Sequence, residues 1–171
     1  EILAQQRSFK AAEADVLRAL EADPSLPGSI ELLQSLYRTQ GKISEARRAF
    51  EQADQAGVLH VGARHLLARL YLEERATQRA LDTLELVVAE APERWSARAD
   101  LAYVLAQRGE DLDRALGLAS AAVTDSFADP RALDAVGWVE LHSGRANVAL
   151  RHFDGGIRAT GRAWEPVVPT L

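Results

Sequence analysis

The chain contains no cysteine and no methionine. The first absence excludes disulfides, thiolate metal sites and cysteine nucleophiles, and it leaves cytosol and periplasm equally open. The second, which extends even to an initiator, makes a piece of a longer protein the expectation. Aromatic side chains make up only 6% of the 171 residues, and there is a single asparagine, Asn147. With a net charge of -5, a pI near 5.4 and no basic run, the electrostatic footprint of a nucleic-acid binder is missing. No apolar stretch approaches the roughly 20 residues that span a bilayer, and the opening EILAQQRSFK lacks the layout of a signal peptide.

Sites with a chemical signature are equally scarce. His60 and His65 are five residues apart and His142 and His152 ten, whereas two imidazoles share one helical face for a metal at a spacing of four. GEDLDRA sets Asp111 and Asp113 near a glycine but has none of the later ligands of a calcium loop; it reads as a turn that caps the next helix. FDGGIRATG clusters glycines with no preceding strand and no lysine, so it is no phosphate cradle; Gly155 and Gly156 are expected to allow close packing and to end the last helix early. No serine lies in a nucleophile-elbow context. The expectation is a non-enzyme without metal or cofactor.

What is present is 47% hydrophobic residues arranged as a repeat. Ala12, Ala46, Ala80, Ala115 and Ala149 follow one another at steps of 34, 34, 35 and 34 residues. Four positions after each alanine stand Val16, Phe50, Leu84, Ala119 and Phe153, and three further on Ala19, Ala53, Val87, Ala122 and Gly156, offsets that mark one helical face. Upstream, Leu33, Leu67, Leu101 and Val136 are followed by Gln34, Ala68, Ala102 and Gly137, which defines a second helix in each unit. The turn between the two helices carries Gly41, Gly109 and Gly144, with Arg75 at the fourth instance, and the one extra residue of the third unit falls in RGEDLDR. Prolines at 24, 27, 92 and 130 punctuate the units; Asp129-Pro130 has the form of an N-cap followed by proline at the first helical position.

A helix-turn-helix unit of about 34 residues with small residues at its eighth, twentieth and usually twenty-seventh positions resembles the tetratricopeptide repeat. The resemblance covers nearly the whole chain and implies an all-α solenoid of antiparallel helix pairs: a partial repeat at 1–26, complete repeats at 27–60, 61–94, 95–129 and 130–163, and the start of a further helix or tail at 164–171. Residues 1–26 read as the end of one helix and the second helix of an earlier unit, with Val16, Leu17 and Leu20 exposed for a preceding helix or for self-association. Departures from the family pattern are Ile30, Arg64, Arg98 and Leu133 at the fourth position, where an aromatic is frequent, and Glu140 at the eleventh.

The resemblance also implies a concave binding groove lined by the fifth, ninth, twelfth and thirteenth positions of each unit. Those positions hold Glu31, Ser35, Arg38 and Thr39, then His65, Arg69, Leu72 and Glu73, then Ala99, Tyr103, Ala106 and Gln107, then Asp134, Trp138, Leu141 and His142. Gly137, one residue before Trp138, falls on the opposite, packing side of its helix, where a missing side chain lets two backbones approach. Arg38 and Arg69 suit a carboxylate and Tyr103 and Trp138 an apolar anchor, unless the arginines pair with Glu31 and Glu73 and Trp138 packs under the next helix. The lysine–asparagine clamp of the chaperone-binding members is absent at these positions, and so is the asparagine ladder of the glycosyltransferase-linked members. The implied role is a non-catalytic scaffold that binds a protein or peptide, with no nucleic acid, no membrane span and no cofactor. The alternatives are an appendage of a larger enzyme such as a transferase, or a self-assembling array. The run LAYVLAQRGEDLDRALGLASAAV also resembles units of bacterial envelope, exopolysaccharide and secretion-associated repeat proteins, which leaves the compartment, cytoplasmic or periplasmic, open.

Overall fold

Small residues spaced at one helical turn let helices cross closely, and the buried positions follow that spacing. Ala46, Ala80, Ala115 and Ala149 are all buried, as are Ala68, Ala102 and Gly137. In the computed structural model, which describes residues 2–22, 29–57 and 59–160, the chain forms helices α1 (Ile2–Ala22), α2 (Ser29–Thr39), α3 (Ile43–Gln55), α4 (Val61–Glu73), α5 (Thr77–Glu90), α6 (Trp95–Arg108), α7 (Leu112–Asp125), α8 (Pro130–His142) and α9 (Ala146–Thr160). Among the described residues there is no strand. Pro24, Pro27 and the tail from Trp164 to Leu171 lie outside these residues, and so do the side chains of Leu20, Glu31, Leu33 and Gln34. The fold is all-α, built from successive antiparallel helix pairs. The chain divides into two compact units, Glu1–Thr83 and Leu84–Leu171.

Turn chemistry sets the boundaries within each pair. Gly41, Gly109 and Gly144 occupy the left-handed region at φ 64°, 68° and 78°, and Arg75, the one non-glycine at this turn position, adopts the same conformation at φ 58°. The extra residue of the third unit is absorbed inside RGEDLDR: α6 has 14 residues where α4 and α8 have 13, and Asp111 takes a second left-handed conformation at φ 41°. Its carboxylate then accepts from the Arg114 N–H and caps α7. Asp129 caps α8 in the same way, accepting from the Arg131 N–H at 2.9 Å, with Pro130 at the first turn.

In the N-terminal unit α1 packs on α2 and α4, and α2 and α3 pack on each other and on α4. Its core gathers Phe9, Val16, Tyr37, Phe50, Leu66, Leu67, Leu70 and Tyr71. Two expectations are corrected here. α1 is one unbroken helix rather than the end of one and the whole of another, because nothing between Ile2 and Ala22 is a glycine or proline that would break it. Val16 is not exposed for a neighbour; it is buried in this core with Leu17 packed against it.

In the C-terminal unit α6 packs on α7 and α8, α7 on α8, and α8 on α9. A methyl group built on Gly137 would lie 2.4 Å from the Phe153 ring of α9, so any side chain there would have to displace the ring that occupies its space. The corresponding positions of the preceding pair, Ala102 and Ala119, are fully buried small residues; the fourth pair exchanges alanine for glycine on one helix and gains a phenyl ring on the other. Gly155 and Gly156 do not end α9 early, since the helix runs through both to Thr160; Gly156 is buried with the backbone of Pro130 at the start of α8 as its near neighbour.

The charged departures from the repeat pattern, Arg64, Arg98 and Glu140, are ion-paired. Arg64 bonds Asp54 at 2.7 Å within the N-terminal unit, and Arg98 pairs with Asp125 within the C-terminal one. Glu140 is buried and pairs with Arg145 just past the turn, which supplies the counter-charge that a tyrosine at that position would not need. Among the described residues no helix is long and apolar enough to cross a membrane, and no cluster of His, Asp or Glu side chains is grouped to hold a metal ion.

Candidate functional site

The residues expected to line a groove separate into two groups of different character. In the N-terminal unit Ser35 and Arg38 are exposed on α2, but the Arg38 guanidinium is engaged by Glu73 of α4. Arg69 and Leu72 are half-buried. His65 is a correction: it is completely buried rather than facing an open surface. The physical reason is that α4 is buried on nearly every side, from Val61 through Tyr71, so its fifth position has no open face left. The side chain of Glu31 lies outside the described residues.

The C-terminal unit brings its candidates together. Tyr103 of α6 meets Trp138 of α8 edge to face, with ring centroids 5.7 Å apart and planes at 89°. His142, one turn further along α8, lies 5.6 Å from the indole, and its Nδ1 is 2.9 Å from the Trp138 carbonyl oxygen, which orients the ring. Phe153 of α9 closes the far side of Trp138 at 6.3 Å. Tyr103, Trp138 and Phe153 are half-buried, while Gln107, Leu141 and His142 are exposed. Trp138 therefore does two things the sequence presented as alternatives: it packs on the following helix through Phe153 and keeps part of its ring at the surface.

Asp134 is the second correction. It was expected on an open face, yet it is only 5% exposed. Its Oδ1 has no hydrogen-bond partner among the described residues, and neither has the Trp138 Nε1–H one turn later on the same face. Arg131, three residues earlier and so within helical reach, turns the other way: it bonds Asp129 at 3.4 Å and its guanidinium lies 4.8 Å from the Trp95 ring centroid. Burial pushes the Asp134 carboxyl up to about 7. The Tyr103 phenol is raised as well, first by burial and then by the charge of Asp134 beside it. Phe153 was read from the sequence only as a packing position; the signal that would have placed it in this cluster is Gly137, the vacancy into which its ring fits.

This architecture is shared with solved tetratricopeptide-repeat proteins. The chain superposes on YrrB, described as a TPR protein with an unusual peptide-binding site, with a TM-score of 0.66 at 23% identity over 95% of this chain and 83% of that one. It is also similar to MamA, with a TM-score of 0.60 at 20% identity over 91% of each chain. A tetratricopeptide repeat protein from Parabacteroides merdae ATCC 43184 gives a TM-score of 0.65 at 22% identity over 94% of this chain and 64% of that one. No protein-family model matches the chain, and no curated protein matches it. The fold is thus the tetratricopeptide-repeat helical-hairpin array.

Proposed function

We propose that the chain is a non-catalytic scaffold that binds a segment of another protein, and that the segment lies on the face shared by α6 and α8. The observation that carries this reading is the half-open ring cluster of Tyr103, Trp138 and His142, flanked by exposed Gln107 and Leu141, with two buried polar atoms, Asp134 Oδ1 and Trp138 Nε1, that have no partner among the described residues. Tyrosine and tryptophan are the residue types that dominate interface energetics, and they do so where they are partly desolvated before the partner arrives. Polar groups left unpaired in a folded protein are costly, and a partner that satisfies them gains what the free protein lacks. The sequence placed a carboxylate-binding end at Arg38 and Arg69; with Arg38 engaged by Glu73, the C-terminal unit is the better supported location. The fold likeness to YrrB, a protein described by its peptide-binding site, agrees with a binding role.

The test is selection of peptides from a displayed random library on the intact chain, followed by affinity measurement on wild type and on the Tyr103→Ala/Trp138→Ala double variant. The expected result is micromolar peptides whose binding weakens by about tenfold or more in the double variant, in line with loss of roughly 1 to 2 kcal/mol or more at an aromatic anchor. Equal binding by a double variant that retains its helical circular dichroism would remove α6 and α8 as the site.

A further inference from the structure

We propose that Asp134, framed by the Tyr103 and Trp138 rings, is a subsite for a cationic side chain, lysine or arginine, carried by the bound segment. This rests on the reading of the α6–α8 face as the binding surface. A carboxyl group buried to 5% exposure needs a partner, since a buried charge that is neither paired nor hydrogen-bonded is strongly disfavoured. Among the described residues the chain supplies none: Arg98 pairs with Asp125, Arg108 with Glu110, Arg131 with Asp129 and Arg145 with Glu140, so the arginines of α6 and α8 and the one that follows α8 each hold another acid.

The surroundings select the sign of the ligand. Ring faces attract cations and repel anions, and the two rings beside the acid, Tyr103 and Trp138, are each partly exposed. An acidic side chain placed on this face would meet the Asp134 charge, and an aliphatic one would leave both Oδ1 and the indole N–H unpaired. A lysine or arginine residue within a peptide answers both. Its cationic head donates to Asp134 Oδ1, its stem lies along the rings, and a backbone carbonyl of the segment accepts from the Trp138 Nε1–H. A cation that arrives also removes the energetic reason for the carboxyl to stay protonated, so the ionised form is the one stabilised in the complex.

The probes are capped tripeptides Ac-Gly-X-Gly-NH2 with X as lysine, arginine, norleucine or glutamine, titrated into the intact chain labelled with 15N. The readout is the Trp138 indole N–H resonance, assigned by its loss in Trp138→Phe. The expected result is that the lysine and arginine peptides shift this resonance with affinities about tenfold or more above those of norleucine and glutamine, and that Asp134→Asn erases the difference. Tyr103→Leu, which removes a ring without touching the carboxyl, should weaken the cationic peptides while keeping the order of preference. The subsite is overturned if norleucine or glutamine shifts the resonance as well as lysine, if Asp134→Asn keeps the preference, or if none of the four moves it. Display-selected peptides that bind through Tyr103 and Trp138 with no cation preference would sink this subsite and leave the binding face standing. A failed selection with a positive lysine titration would leave the subsite standing and remove only the longer bound segment.

Discussion

Each unit holds three aromatic rings in the same edge-to-face series, and the two series have opposite fates. In the N-terminal unit Phe9, Tyr37 and Phe50 stack at 5.9 and 5.7 Å, all three buried. The Tyr37 hydroxyl donates to Glu13, and the Lys42 ammonium stands 5.2 Å from the Phe9 ring centroid, so the cluster carries its own hydrogen-bond acceptor and its own cation. In the C-terminal unit Tyr103, Trp138 and Phe153 meet at 5.7 and 6.3 Å, half-open, with Asp134 Oδ1 and the indole N–H unanswered among the described residues. Ring geometry alone therefore does not separate a core from a receptor. Completion of the polar groups around the rings does.

The largest effect expected from breaking this contrast is on the closed side. Phe50→Ala should cost about 3 to 5 kcal/mol in urea unfolding, as a large side chain lost from a sealed core does, while Tyr103→Ala, starting half-exposed, should cost less than half as much. Equal losses would show that the second cluster is as much a core as the first.

Next in size is the pH dependence of stability set by Asp134. Its carboxyl is raised from 3.8 to about 7 in the folded chain, so between those values the folded state holds a proton that the unfolded state has released. Stability from this group is fully present below about pH 4 and is lost as pH rises through 7, by about 4 kcal/mol. Asp134→Asn should accordingly be more stable than wild type at pH 8, with the advantage shrinking toward pH 4; the difference between the two unfolding curves isolates this group from every other titration. A constant difference across that range would contradict the burial assigned to Asp134.

A smaller change is expected at the seat of the open cluster. Gly137→Ala gains about 1 kcal/mol of helix propensity, yet it should still be destabilising by about 1 to 2 kcal/mol because the new methyl displaces the Phe153 ring. Gly137→Ala combined with Phe153→Leu should recover most of the loss, whereas a stabilised Gly137→Ala would show the ring free to move. The smallest effect is expected at a turn: Arg75→Gly should stabilise by about 0.5 to 1 kcal/mol by relieving a left-handed non-glycine residue, read as a shift in the urea unfolding midpoint.

Much of the fold was legible because its determinants are local. Alanines 34 residues apart mark helix crossings, and the glycines at three of the four turns mark the turn position that Arg75 fills at the fourth, where all four residues adopt positive φ. The Asp129 and Asp111 caps belong to the same class. The site was legible only by position. Periodicity pointed His65 and Asp134 toward one face of their helices, but burial depends on what lies over that face, and α4 and α8 are covered more widely than a single amphipathic stripe requires. The choice of Arg38 for Glu73, and of Arg131 for Asp129 rather than Asp134, is decided by side-chain geometry that spacing does not encode. The role of Phe153 was hidden for a related reason: its ring belongs to the receptor cluster only because Gly137, on another helix, makes room.

A partner that binds this chain should cover its α6–α8 face. Hydrogen–deuterium exchange of the intact chain with and without a saturating selected peptide measures this directly. Slowed exchange concentrated in 95–108 and 130–142, with α1 to α3 unchanged, is the predicted result; protection concentrated in α1 to α3 with α6 and α8 unaffected would contradict it.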